Sequence, residues 1–240
     1  RHPDGSNCLQ LKYRSHRILP GKYSLPGLPA LFARDNANAA TLEILLADAP
    51  GGVEVKLLYG VFPQCAVITR AVEITNTGTA RIALKKAMSL ELDFPKRTLD
   101  LIHFYGRHNM ERQTERRPVC HGIQTIESKR GMSSHHHNPA VILCDRTATE
   151  DYGSCYGAVF VYSGNFQCQV ELDQAEQTRL ILGIHHSNFS FRLNPKESFT
   201  TPEAVLTYSG NGLQEISHHF HDAFRKHLIR SPHVNSHRPV

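Results

Sequence analysis

The 240-residue chain carries 27 Lys and Arg against 22 Asp and Glu, a formal net charge of +5, with 40% hydrophobic and 20% charged residues. That length and composition describe a soluble globular protein, either one large β domain or two small ones. No apolar run reaches membrane-spanning length and no signal-peptide pattern opens the chain; no lysine-rich run or aromatic-interleaved basic repeat appears, so neither a membrane nor a nucleic-acid partner is expected.

Alternation begins at Leu9, Leu11 and Tyr13, the period of a half-buried strand. Pro20 to Pro29 holds three prolines and two glycines and predicts a loop. Strands follow through Leu42, Ile44 and Leu46 and, beyond the Pro50-Gly51-Gly52 turn, through Val53 to Val61, and the two read as a hairpin. Ile68 to Ile74 forms another strand, Ile82 to Leu92 one long strand, and Leu99 to Tyr105 a further one.

From His103 to Pro139 the rhythm breaks. Six Lys or Arg (Arg107, Arg112, Arg116, Arg117, Lys129, Arg130) stand there against Glu111, Glu115 and Glu127, with six of the sixteen histidines. The stretch reads as a long polar loop on a rigid scaffold, the usual material of binding sites. Beyond it, Val141–Cys144, Ala158–Tyr162, Phe166–Leu172, Leu180–Ile184 and Ala204–Tyr208 read as short strands, with Ser163-Gly164-Asn165 as a tight hairpin between two of them. About a dozen strands with no βα alternation point to a large antiparallel sandwich. From Asn211 to Ile229 the apolar residues Leu213, Ile216, Phe220, Ala223, Phe224 and Leu228 have helical spacing. Asn211 and Gln214 suggest a capping box, and Ser231-Pro232 a stop. The polar start and the tail from His233 to Val240 lead us to expect a fragment.

Chemistry-bearing motifs are sparse. There is no GxGxxG, GxxxxGK[ST] or GxSxG. His135-His136-His137 is the one metal candidate, and neighbouring strand side chains point to opposite faces, so no metal and no cofactor is expected. Glu91 and Asp93 are a conceivable carboxylate pair, but the plainer reading has them facing solvent or pairing with Lys96 and Arg97. The six cysteines have no metal-finger spacing and read as reduced, which predicts a cytoplasmic protein. Secretion stays open, and only then would the sequon Asn188-Phe189-Ser190 matter.

Several blocks carry a family likeness. Tyr13, Ser15-His16-Arg17-Ile18, Gly21-Lys22, Leu25 and Gly27-Leu28-Pro29-Ala30 look like YxSHRIxxGKxxLxGLPA. Thr41-Leu42-Glu43-Ile44, Ile68-Thr69-Arg70 and Val161-Tyr162-Ser163-Gly164-Asn165-Phe166 match TLEI, ITR and VYSGNF. Ser128, Arg130-Gly131, Ser133-Ser134-His135 and Asn138-Pro139 look like SxRGxSSHxxNP, and Phe199 with Thr201-Pro202-Glu203-Ala204-Val205 like FxTPEAV. The chain thereby resembles the β-sandwich domain preceding the catalytic barrel of glycoside hydrolase family 36, the α-galactosidases. The resemblance implies a mainly β, galactose-mutarotase-like super-sandwich over 1–208, its first strands lying further upstream. The segment 209–240 would be a linker helix and tail leading toward a (β/α)8 barrel, with Arg238-Pro239-Val240 resembling that barrel's start. Both catalytic Asp residues of the family lie in the barrel, so none is expected in this chain.

A retaining α-galactosidase would use such a domain to shape its active-site mouth and assemble a homo-oligomer. Its partners would be its own barrel and neighbouring subunits, its substrates galactosides such as melibiose and raffinose. Arg107, Glu111, Arg112, His135 and Asn138 are the candidates for the face toward barrel or subunit. The family's GxWxRERH reads here Gly106-Arg107-His108-Asn109-Met110-Glu111-Arg112-Gln113, a departure that puts simple α-galactoside preference in question. The alternatives are a stand-alone carbohydrate-binding module, which the lack of Trp disfavours, and a mutarotase-like enzyme, which needs a His and a carboxylate in one cleft. A chain cut from its neighbours is expected to expose an apolar patch and self-associate.

Overall fold

A computed structural model describes residues 1–95, 98–234 and 236–237. The first half supplies β1 (Lys12–Pro20), β2 (Ala40–Asp48), β3 (Val53–Phe62), β4 (Val67–Asn76), β5 (Ile82–Leu84), β6 (Met88–Phe94), β7 (Leu99–Arg107) and β8 (Met110–Pro118). The second supplies β9 (Gly122–Ser128), β10 (His137–Asp145), β11 (Cys155–Val161), β12 (Phe166–Leu172), β13 (Thr178–Ile184), β14 (Phe191–Leu193), β15 (Ser198–Thr200) and β16 (Glu203–Ser209). One helix, α1 (Leu213–His227), follows.

The strands build one large antiparallel sheet in the order β1-β2-β3-β4-β16-β11-β10-β7-β8, with β15 also on β4. Smaller sheets, β12-β13-β6 and β14-β5, cover one face of it. The expected antiparallel super-sandwich is therefore the observed fold. Its main core lies between the sheets, where Leu101, Val141, Leu143 and Phe160 meet Leu90, Phe166, Val170 and Leu182. Ile102, Cys144 and Val205 alternate to the opposite face and pack beneath Ile216, Phe220 and Ala223 of α1. Central strands buried on both faces explain why 141–144 is continuously apolar while the hairpin β2–β3 alternates.

Four expectations need correction. The run from Ile82 to Leu92 is two strands: β5 pairs with β14 and β6 with β13. The exposed neighbours Lys85 and Lys86 separate them, because two consecutive solvated side chains break the pleat. Ser163-Gly164-Asn165 carries the chain from the large sheet to the small one rather than closing a hairpin, since β11 pairs with β10 and β16 while β12 pairs with β13. The helix has no capping box: Gly212 is its N-cap, and the amides of Leu213 and Gln214 donate to the carbonyls of Thr149 and Glu150. Finally, 103–139 is mostly strand (the end of β7, β8, β9 and the start of β10). β8 forms the edge of the large sheet, where backbone pairing with β7 suffices and solvated charges suit an edge.

The connection 21–39 lies over the large sheet and is held by a buried ion pair. Lys22 Nζ sits 2.6 Å from Glu203 Oε1, with side chains 1% and 0% exposed, and Glu203 Oε2 accepts from the Leu31 amide at 2.7 Å. Gly60 makes room for the lysine stem, since a Cβ there would stand 2.4 Å from Lys22 Cδ. Burial pulls the Lys22 ammonium below its ordinary pKa, and Glu203 opposes that shift. The far edge is bare: all nine residues of β1 are exposed, Tyr13 at 60% and Ile18 at 73%.

Candidate functional site

The β7–β8 hairpin turns at His108-Asn109, because Arg107 pairs with Met110 across the ladder. Asn109 adopts φ 61° there, a left-handed conformation that asparagine tolerates. Gly106 marks a register shift where the strands approach closely; a Cβ on it would lie 2.5 Å from the Met110 carbonyl oxygen. Arg107 Nη2 reaches Met110 Sδ at 3.2 Å and Glu111 accepts from the Asn109 amide at 2.9 Å. Arg112, at φ 55°, completes the exposed tip. So Arg107, Glu111 and Arg112 share one hairpin end.

The other two candidates lie beside its root. The Gly106 amide donates to the His136 carbonyl, and His137 pairs with Tyr105. His135 is exposed and stacks on His136 with ring centroids 5.2 Å apart. Half-buried Asn138 follows in β10, its Oδ1 without a hydrogen-bond partner. The grouping expected from sequence is thus one end of the large sheet.

Sequence reasoning missed what lies beneath. His103 alternates with Leu101 on the inner face of β7, is buried, and faces Glu115 of β8 with Nε2 3.2 Å from its carboxylate. Burial lowers the imidazole pKa; Arg117 and His137 act the same way, and Glu115 opposes them. Glu127 Oε2 accepts from His185 Nε2 at 2.8 Å, and Lys129 holds its other oxygen at 2.7 Å. Burial alone would raise Glu127, but those two partners leave it below its ordinary value. The apolar alternation around His103 was the available signal; the Glu115 and His185 partners depend on register and long-range folding.

Other ionic groups hold the scaffold. Arg116 binds Asp100 Oδ2 at 2.7 Å and the carbonyls of Asp145, Arg146 and Ala148. Glu91 and Asp93 are solvent-exposed, as one of the expected readings had them, and lie 3.4 and 2.7 Å from Arg179 of β13; the other expected partners, Lys96 and Arg97, lie outside the described residues. Among the described residues no group of three His, Cys, Asp or Glu side chains could hold a metal. All six cysteines are free, Cys65, Cys144, Cys155 and Cys168 buried; burial pushes the Cys168 thiol up to about 12. Among the described residues no helix is long and apolar enough to cross a membrane.

Residues 1–194 match the model of the glycosyl hydrolase family 36 N-terminal domain. The chain belongs to that family. Residues 198–240 match a melibiase model. The bifunctional alpha-galactosidase/sucrose kinase AgaSK of Mediterraneibacter gnavus is 49% identical over the whole chain, which covers 26% of that relative. Alpha-galactosidase AgaA of Geobacillus stearothermophilus is 43% identical over 99% of this chain and 32% of its own length. The AgaA crystal structure superposes on the whole chain with a TM-score of 0.98 at 42% identity, covering 33% of that chain. This chain spans about a quarter to a third of the length of these relatives.

Proposed function

We propose that this chain is the non-catalytic N-terminal domain of a retaining α-galactosidase, with the sandwich over 1–208 and the linker helix and tail over 209–240. The observation that carries the reading is the alignment of the whole chain with a quarter to a third of the length of α-galactosidases, in sequence and in backbone, together with the match of residues 1–194 to the family's N-terminal domain. The parent enzyme would hydrolyse terminal α-galactosides such as those of melibiose and raffinose, with both carboxylates in the barrel. Supporting this, Glu203, Asp100, Glu127 and Asp93 are each held by a cation of the fold itself. Arg107, Glu111, Arg112, His135 and Asn138 would meet the barrel or a neighbouring subunit. The bare β1 edge, with Tyr13 and Ile18 uncovered, supports assembly into a homo-oligomer.

The test is hydrolysis of a chromogenic α-galactoside by this 240-residue chain and by the longer protein side by side. Activity in the longer protein alone is the expected result. Turnover by the short chain would place a catalytic pair in the sandwich and overturn the assignment.

A further inference from the structure

A cavity of about 320 Å³ opens beside the root of the β7–β8 hairpin, lined by Glu127, Ser128, Lys129, Arg130, Ser134, His136 and His137. Its size is at the lower end of the range of about 300–1,000 Å³ for small-molecule sites. Its walls have a specific chemistry. The Glu127 carboxylate is fixed from behind by His185, whose side chain is 1% exposed and whose Nδ1 accepts from the Ser187 amide. Arg130 approaches His136 Nε2 at 3.3 Å, and this neighbouring guanidinium lowers the imidazole pKa, so the ring is neutral and accepts. The Ser134 hydroxyl accepts from the His136 amide, which leaves its proton to donate elsewhere. His137, which lines the cavity, has a buried Nδ1 without a hydrogen-bond partner, as has the Oδ1 of Asn138, next in the chain.

Donors and acceptors therefore alternate around one small concavity. Lys129 pairs with the Glu127 carboxylate at 2.7 Å and the two charges offset each other. An anion would therefore gain only the water-exposed Arg130 guanidinium while facing a carboxylate that Lys129 and His185 keep ionised. An apolar ligand would strand the polar walls. A hydroxyl group both donates and accepts, and adjacent hydroxyls match adjacent planar groups such as Arg130, His137 and Glu127. The His136 ring lines the cavity and is braced by the stacked His135 ring, their centroids 5.2 Å apart. We propose that this pocket binds a neutral polyhydroxylated ring the size of one monosaccharide. The site lies in the sandwich itself, and it goes beyond the accessory role above without depending on it.

Hydrogen–deuterium exchange read by mass spectrometry locates binding by peptide. D-Glucose and D-galactose are the probes, with inorganic phosphate as the anionic one, on the 240-residue chain and on the longer protein. A hexose has roughly a dozen heavy atoms, which at the efficiency typical of small ligands gives a dissociation constant of about 1 mM or weaker. The expected result is saturable protection confined to peptides spanning 127–138 with at least one hexose. Arg130→Gln, at an exposed position that leaves the fold intact, and His137→Leu should each raise the half-maximal concentration about tenfold or abolish protection. Local protection by phosphate alone would overturn the proposal. So would protection spread evenly along the chain, which is the general effect of an excluded osmolyte, local protection unchanged in both variants, or none at all. Loss of α-galactosidase activity in the parent would leave this readout untouched, so the two readings fail separately.

Discussion

Replacing Glu203 by glutamine tests whether the Lys22 pair secures the connection 21–39. Both side chains are withdrawn from water, and Glu203 serves two donors, Lys22 Nζ at 2.6 Å and the Leu31 amide at 2.7 Å. Glutamine keeps one acceptor but removes the counter-charge, so an ammonium stays buried without compensation. Breaking one side of such a pair costs about 3–5 kcal/mol. For a domain of this size each kcal/mol lowers Tm by about 2–4 °C, so the fall should be about 6–20 °C. Differential scanning calorimetry and urea unfolding read it directly. The double variant Lys22→Met with Glu203→Gln should recover part of the loss, because it removes the stranded charge as well. A drop below about 1 kcal/mol in the single variant, in the range of an exposed pair, would refute the reasoning.

The pH dependence of stability should carry a signature of His103. Its folded pKa lies below the unfolded value near 6.5, so between the two the unfolded chain binds more protons. Stability should therefore fall as pH drops through about 6.5 toward the lower folded value, and His103→Gln should flatten that slope in urea unfolding curves taken at several pH values. Gly106→Val should force the hairpin apart at Met110 and cost about 1–3 kcal/mol by overpacking, seen in thermal melts. Arg112→Ala and His135→Ala in the longer protein should lower kcat/KM or weaken assembly, measured by steady-state kinetics and light scattering. If both variants leave both quantities unchanged, the interface role of that surface falls.

The strands with clean alternation, and the doubly covered runs such as 141–144, were legible because their burial pattern is local. The split between β5 and β6 was not, since Lys86 occupied a place that alternation assigned to the same strand. β8 hid for the opposite reason: an edge strand whose residues are nearly all solvated shows no apolar period, and only its ladder with β7 defines it. The five candidate residues were found as a chain segment and a motif, and folding brings them to one sheet end. Their neighbours His103 and Glu115, or Glu127 and His185, are matched by register and by contacts 58 residues apart, which no window along the sequence contains.

The Lys22–Glu203 pair joins residues 181 apart in the chain. β1 to β4 are consecutive antiparallel neighbours and can pair as soon as each is made. The connection between β1 and β2, however, gains its charged anchor only when β16 exists. At a synthesis rate of about 5–20 residues per second, that interval is on the order of 10–40 s. During it Lys22 remains hydrated and the connection is unfastened, so the ion pair acts as a closing clasp. A nascent chain that has not yet reached residue 203 should be cut by protease within 21–39 while β3 and β4 are already protected.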